Sequence, residues 1–195
     1  MIDKCVYDAL RDKFAMTSSW AVWSEPENGN WKSKSSIANL GCLMESSELL
    51  KELNGDYIFV GLNPARHNVI DTGEPWGAFH SGDTKRAQDY KLRYALRGTK
   101  YWGAFMTDIY SGIIETNAKN AIDKTTPQMT SDSIEDLLEI RNILGGKSII
   151  VAMGNKAYKI LSKHLPTEVH LKKIQHYSSY VNIDKYREQI LEQLK

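Results

Sequence analysis

Cysteine is nearly absent: Cys5 and Cys42 are all that the 195 residues contain. With no paired metal spacing, they exclude a disulfide scaffold and a structural zinc framework, and read as buried or incidental thiols in a reducing compartment. Long apolar runs are missing too. None approaches the roughly 20 residues a bilayer-crossing helix needs, so no membrane association is expected. The opening Met1-Ile2-Asp3-Lys4-Cys5 lacks the basic-then-apolar pattern of a secretory signal, and a cytoplasmic location is the expectation. Charge of either sign is not in excess, since 25 Lys and Arg face 24 Asp and Glu for a formal +1. That balance argues neither for nor against an acidic partner. Proline is scarce, at 5, and no Pro/Gly/Ser-rich linker divides the chain, so residues 1–195 are expected to form a single domain. Neither a GxGxxG fingerprint nor a P-loop occurs, which removes the main support for a dinucleotide or NTP site.

What is present alternates. A helix is expected around Ile2 to Phe14, then a loop holding Trp20, Trp23 and Trp31, then a helical stretch from about Met44 to Leu53. Residues 1–55 thus read as a helical, Trp-rich extension packed on a core, with the tryptophans closing one end of a sheet. From there strands and helices take turns. Strands are expected at Tyr57–Leu62, Tyr101–Ile109, Ser148–Met153 and Glu168–Gln175. Helices are expected at Asp83–Leu96, Ser131–Leu144, Asn155–Leu165 and Asp184–Leu194. The run "SIIVAM" is apolar throughout, as in a parallel strand covered on both faces. This order predicts an α/β fold with a mostly parallel, four-stranded central sheet and helices on both sides, a three-layer αβα sandwich.

Right-handed crossovers then collect the C-terminal ends of the strands along one edge, where ligands of such sheets bind. That edge holds Asn63-Pro64, Asp108, Gly154-Asn155 and His176. It also holds an odd loop, "FVGLNPARHNVIDTGEPWGAF", which ends a buried strand on Gly, Asn and Pro and sets Trp76 between Pro75 and Gly77. Asn63 cannot act as a strong base, but its amide can hold a water; a plain strand-ending turn is the simpler account of the same residues. Trp76 offers a flat face on which a planar ligand would stack, or else closes the core. A histidine such as His176 at a strand end can meet developing negative charge, or be structural. The helix opened by Gly154-Asn155-Lys156 suits an anion. Lys156, Lys159, Lys163 and His164, followed by Lys172, Lys173 and His176, make either a solvated face or a local stripe for phosphates. A zinc site from His164, His170 and His176 is not expected, because the close ligand pairs are missing.

Together these residues resemble the uracil-DNA glycosylase superfamily, and most closely its single-strand-selective monofunctional branch. That branch carries G-[ML]-N-P, seven residues, then T-G-x-P-F-G. Here Gly61-Leu62-Asn63-Pro64 is followed by Ala65 to Asp71 and by Thr72-Gly73-Glu74-Pro75-Trp76-Gly77, with Trp in place of Phe. His176-Tyr177-Ser178 resembles the second motif without its proline, and "IIVAMGNKAYKIL" is similar to the segment between the two. The likeness covers roughly residues 55 to 180.

The resemblance implies a DNA glycosylase that flips a damaged base out of DNA and hydrolyses its N-glycosidic bond, with no metal and no cofactor, as a monomer. Asn63 would position the attacking water and His176 would stabilise the departing base. Gly61, Leu62, Pro64, Trp76, Gly77 and Asp108 would surround that base, with Trp76 stacked on it. Lys156, Lys172, Lys173, Ser178 and Tyr180 would hold the DNA backbone, and Tyr177 or Tyr180 would fill the vacated stack. Two positions depart from the pattern. Ala65 stands where the family has Gly, and Asp108 stands where relatives carry an Asn that reads uracil. An ionised Asp offers only acceptors, and a mismatched buried polar group costs about 10⁴ in discrimination. A different base, a protonated Asp108, or an Asp108 that polarises the water are three consequences, all open. A nucleic-acid or nucleobase-binding module with lost or altered catalysis is the alternative, and an unrelated α/β enzyme with a small-molecule substrate is the third.

Overall fold

The computed structural model describes residues 1–31, 47–65, 75–80 and 88–195. In chain order the elements are α1 (Lys4–Phe14), β1 (Ser19–Trp20), α2 (Ser47–Glu52), β2 (Asn54–Gly61), α3 (Asp89–Leu96), β3 (Ala104–Asp108), α4 (Ala118–Asp123), α5 (Pro127–Ile143), β4 (Ile149–Met153), α6 (Asn155–His164), β5 (Leu171–Ile174) and α7 (Ile183–Leu194). Among the described residues no helix is long and apolar enough to cross a membrane.

The strands form one mixed sheet in the order β1-β3-β2-β4-β5. The β2–β3, β2–β4 and β4–β5 pairings are parallel, as expected. The expectation of four strands is corrected to five, because β1 joins β3 antiparallel through Ser19↔Met106 and Trp20↔Phe105. A two-residue strand has no period to read, and its pairing is tertiary. Trp20 therefore belongs to the sheet edge, with its ring edge-on to Phe105 at 4.9 Å.

Tyr57–Val60 of β2, Ala104–Met106 of β3 and Ile149–Met153 of β4 are apolar at every position, so both sheet faces are covered. Ile58, Val60, Phe105, Ile150 and Ala152 pack on one side with Tyr7 and Phe14 of α1, Leu137 of α5 and Leu161 of α6. Tyr57, Phe59, Met106, Val151 and Ile174 pack on the other with Leu92 of α3 and Ile190 of α7. Helix α5 starts earlier than expected. Thr126 caps it, accepting from the Met129 N–H at 3.2 Å, and Pro127 fills the first turn. The Ser131-Asp132-Ser133 run therefore lies inside the helix, where the Ser133 hydroxyl donates to the Met129 carbonyl at 2.8 Å. Helix α4 escaped the sequence reading, being only one and a half turns long behind its Asn117 cap. The starts of two expected helices, 44–46 and 83–87, lie outside the described residues, as does Cys42. Cys5 is exposed.

Strand β2 lies centrally, with β3 on one side and β4 on the other. The strand order therefore reverses at β2, and a crevice opens beyond its C-terminal end.

Candidate functional site

The crevice is a cavity of ≈ 550 Å³, within the range of small-ligand sites. The turns after β2, β3, β4 and β5 all contribute, through Asn63, Asp108, Lys156 and His176, and Met16 and Thr17 close it from the N-terminal segment. The convergence expected from strand order is present.

Asn63 is fixed from behind. The ladder between β2 and β3 continues past both strands, with Ile109 N–H bonded to Gly61, Tyr110 N–H to Leu62 and Glu115 N–H to Pro64 carbonyls. This lays 109–115 beside 61–64, and the Asn63 Nδ2 lies 2.9, 3.1 and 2.8 Å from the carbonyls of Pro64, Ile113 and Glu115. Three carbonyls around one NH₂ fix the amide's orientation, because a flip would set oxygen against oxygen. The donors are spent there. Oδ1, an acceptor, is the atom left for a ligand or water.

His176 offers the opposite polarity. Its Nδ1 accepts from the Ser178 main-chain N–H at 3.1 Å and from the Ser178 hydroxyl at 2.8 Å. A ring nitrogen that accepts an N–H carries no proton, so the proton sits on Nε2. Burial pushes the imidazole down to about 4, which keeps it neutral at neutral pH. Tyr177 stacks on the ring at 4.3 Å and 28°. Behind it, Gly154 holds a left-handed φ of 94°, and a Cβ there would meet the His176 Cβ at 3.3 Å. Helix α6 starts at the next residue, so its positive end borders the cavity alongside the histidine.

Asp108 ends β3 opposite Gly61. Its Oδ1 lies 2.1 Å from where a Cβ on Gly61 would be, so the first glycine of the motif is a seat for this carboxyl rather than a lining residue. Burial raises Asp108 to about 7. Half-buried in the cavity wall, it is placed to meet a ligand edge.

Trp76 corrects an expectation. Its ring is fully buried among Tyr7, Trp20 and Phe105, 5.5 to 5.9 Å away, with Nε1 donating to the Tyr7 hydroxyl at 2.6 Å. It does not line the cavity, so it cannot stack on a ligand there. Core burial wins because a Trp beside three aromatic rings removes far more apolar surface from water than a half-exposed site would. Gly77 is buried too and does not line the cavity. Two aromatic side chains among the described residues do line the cavity: Tyr177, stacked on His176, and Phe79, half-buried, two residues past Gly77. The Trp-Gly-Ala-Phe run displayed both rings, and only packing distinguishes them. Thr72, Gly73 and Glu74 lie outside the described residues.

Of the other candidates, Leu62, Pro64, Lys156 and Ser178 line the cavity. Lys172 is withdrawn from the expected phosphate stripe, since its Nζ donates to the Leu194 carbonyl at 2.6 Å and closes the end of α7. Lys173 points over the Tyr158 ring at 5.3 Å. Tyr180 is fully exposed. Asp89, His80 and Glu115 also border the cavity and were not anticipated, because each lies away from a strand end in sequence. Glu115 is paired with Lys124 at 2.9 Å.

No protein-family model matches this chain, and no curated protein matches it either.

Proposed function

We propose that this chain is a DNA glycosylase of the uracil-DNA glycosylase type, with the αβα sandwich of that superfamily, acting on uracil or a related damaged base. The observation that carries the reading is one pairing within one cavity. An amide with its acceptor left over and a neutral imidazole with its donor left over line the same cavity.

A flipped-out base would enter beside Phe79, where stacking contributes about 1–3 kcal/mol. Asn63 Oδ1 would accept a hydrogen bond from a water and aim the water's lone pair at C1′ of the sugar. As the bond from C1′ to the base nitrogen breaks, the sugar gains oxocarbenium character and the base gains negative charge. His176 Nε2–H and the positive end of α6 would stabilise that charge, and a neutral donor does so without first trapping the base as an ion pair. The water oxygen then bonds to C1′ and its proton leaves to solvent. Extruding the base costs a few kcal/mol, less from a mismatch or a single strand. Tyr180, exposed two residues past Ser178, is the side chain available to fill the gap. Lys156 and Lys173 would contact phosphates. Ser178 acts first by holding His176.

Short oligonucleotides carrying uracil, hypoxanthine, xanthine or hydroxymethyluracil, incubated and then treated with alkali, test this. Strand scission that disappears in Asn63→Ala is the expected result. The alternative, a nucleobase-binding module, is favoured by one feature: Asp89, Asp108 and Glu115 all border the cavity, which suits a base better than a phosphate. Binding without scission on any of these lesions would establish it.

A further inference from the structure

The Asp108 carboxyl sits over the Gly61 Cα, at the cavity wall, and no group among the described residues is hydrogen-bonded to it. On the same cavity, His80 donates its Nε2–H to the Trp20 carbonyl at 3.1 Å, leaving a buried Nδ1 lone pair without a partner. The cavity therefore has a carboxyl and a histidine lone pair awaiting partners, and the His176 Nε2–H awaiting an acceptor. A planar ligand that satisfies both Asp108 and His176 must bring an N–H beside an acceptor to the Asp108 carboxyl and an oxygen to His176. Resting on the glycosylase reading, we propose that the base is a 4-aminopyrimidine of the cytosine type, read by Asp108 through its N3 and 4-amino group, and that Asp108 protonates N3 as the base departs.

The chemistry matches on both edges. A carboxylic acid gives its O–H to N3 and accepts from the 4-amino N–H, a two-point contact. Uracil presents an N3–H where cytosine presents N3, and O4 where cytosine presents the amino group. The acid's proton would have to go to O4, which is far less basic than cytosine N3, and is held less well. Cytosine also leaves poorly as an anion, which is why it needs an acid. The Asp108 O–H breaks and N3–H forms while the electron pair of the C1′–N1 bond moves to the base. The base departs as a neutral tautomer with its proton on N3, its O2 bonded to His176. Water bonds to C1′, and the proton it loses restores Asp108. One water is consumed and no redox partner is needed. Burial, which raises Asp108 to about 7, keeps a large fraction protonated at neutral pH. Among the described residues the other titratable groups on the cavity are Asp89 at the start of α3, His80, Glu115, Lys156 of α6, and His176 with Tyr177 after β5; Asp136 of α5 borders the small cleft that Asp108 also lines. Glu115 is neutralised by Lys124.

The test compares matched oligonucleotides carrying cytosine, 5-methylcytosine or uracil at one position, at pH 6 and pH 8. Release of the cytosine-type base should exceed uracil release at pH 6 and fall as pH rises past 7. Asp108→Asn, nearly isosteric, should lower cytosine release by about 10²–10⁴-fold and turn the preference toward uracil, whose O4 and N3–H suit an amide. Uracil release by the unaltered chain without cytosine release would overturn this proposal and leave the glycosylase reading standing. So would an Asp108→Asn variant that keeps the parent's preference. If no base is released, calorimetry with free cytosine and free uracil decides. Cytosine binding lost in Asp108→Asn supports the edge recognition and overturns the proton transfer along with the glycosylase reading. No binding overturns both.

Discussion

Trp76 and Phe79, three residues apart, both hold left-handed backbones, at φ 67° and 66°, and their rings go to opposite destinations. Left-handed backbone is uncommon for aromatic residues and persists only when the surroundings impose it. Trp76 is tethered three times: its N–H donates to the Ala15 carbonyl at 2.6 Å, its carbonyl accepts from the Ser19 hydroxyl at 2.8 Å, and its ring is bonded to Tyr7. The core thus grips one ring so that the turn can present the other.

The two variants should behave differently. Trp76→Ala removes a fully buried ring and should cost about 3–5 kcal/mol of stability, read by denaturant unfolding. Phe79→Ala should leave stability within about 1 kcal/mol while weakening ligand binding by about 1–3 kcal/mol. Loss of binding in a folded Trp76→Phe with none in Phe79→Ala would reverse the assignment.

Gly61→Ala should be strongly destabilising, since the new methyl collides with Asp108 Oδ1. Adding Asp108→Ala should recover much of that loss, because the two positions share one space and cannot be additive. Thermal unfolding of the two single variants and the double variant measures it. Additive losses would place the clash elsewhere.

The proton of His176 should be on Nε2 across the neutral range. Nitrogen-15 NMR of the imidazole should show a single protonated nitrogen from pH 8 down to pH 5, since burial holds the ring near 4. Ser178→Ala keeps the main-chain donor and should preserve the tautomer. A ring doubly protonated at pH 6 would refute the donor geometry.

Stability should respond to pH with opposite signs from the histidines of the cavity and from its Asp108 carboxyl. His176 and His80 are both lowered by burial from 6.5 to about 4. The unfolded chain takes up protons first, so their contribution is present above 6.5 and lost as pH falls toward 4. Asp108 is raised from 3.8 to about 7, so the folded chain holds the proton longer, and its contribution is present below 3.8 and lost as pH rises through 7. Asp108→Asn should therefore gain stability relative to the parent as pH rises from 4 to 7 and then level off. Urea titrations at unit pH steps would show it. A difference independent of pH would mean Asp108 is not shifted.

The sequence by itself determined the alternation of strands and helices, the parallel pairing and the line of strand ends. Apolar runs such as Ile149–Met153 can be buried only between two helical layers, and strand polarity then follows from connection length. Asn63, Asp108 and His176 were legible for the same reason, as polar residues where apolar strands stop. Only the tertiary structure decided what each faces. Trp76 and Phe79 are equivalent in a linear text, and the space among Tyr7, Trp20 and Phe105 chose between them. Lys172 carries the charge a phosphate site needs, yet the end of α7 claims it. Gly61 looked like a ligand contact and proved to be the room Asp108 requires. Local pattern fixes which residues reach an edge; which way they turn there depends on neighbours distant in the chain, whose contacts leave no periodic trace.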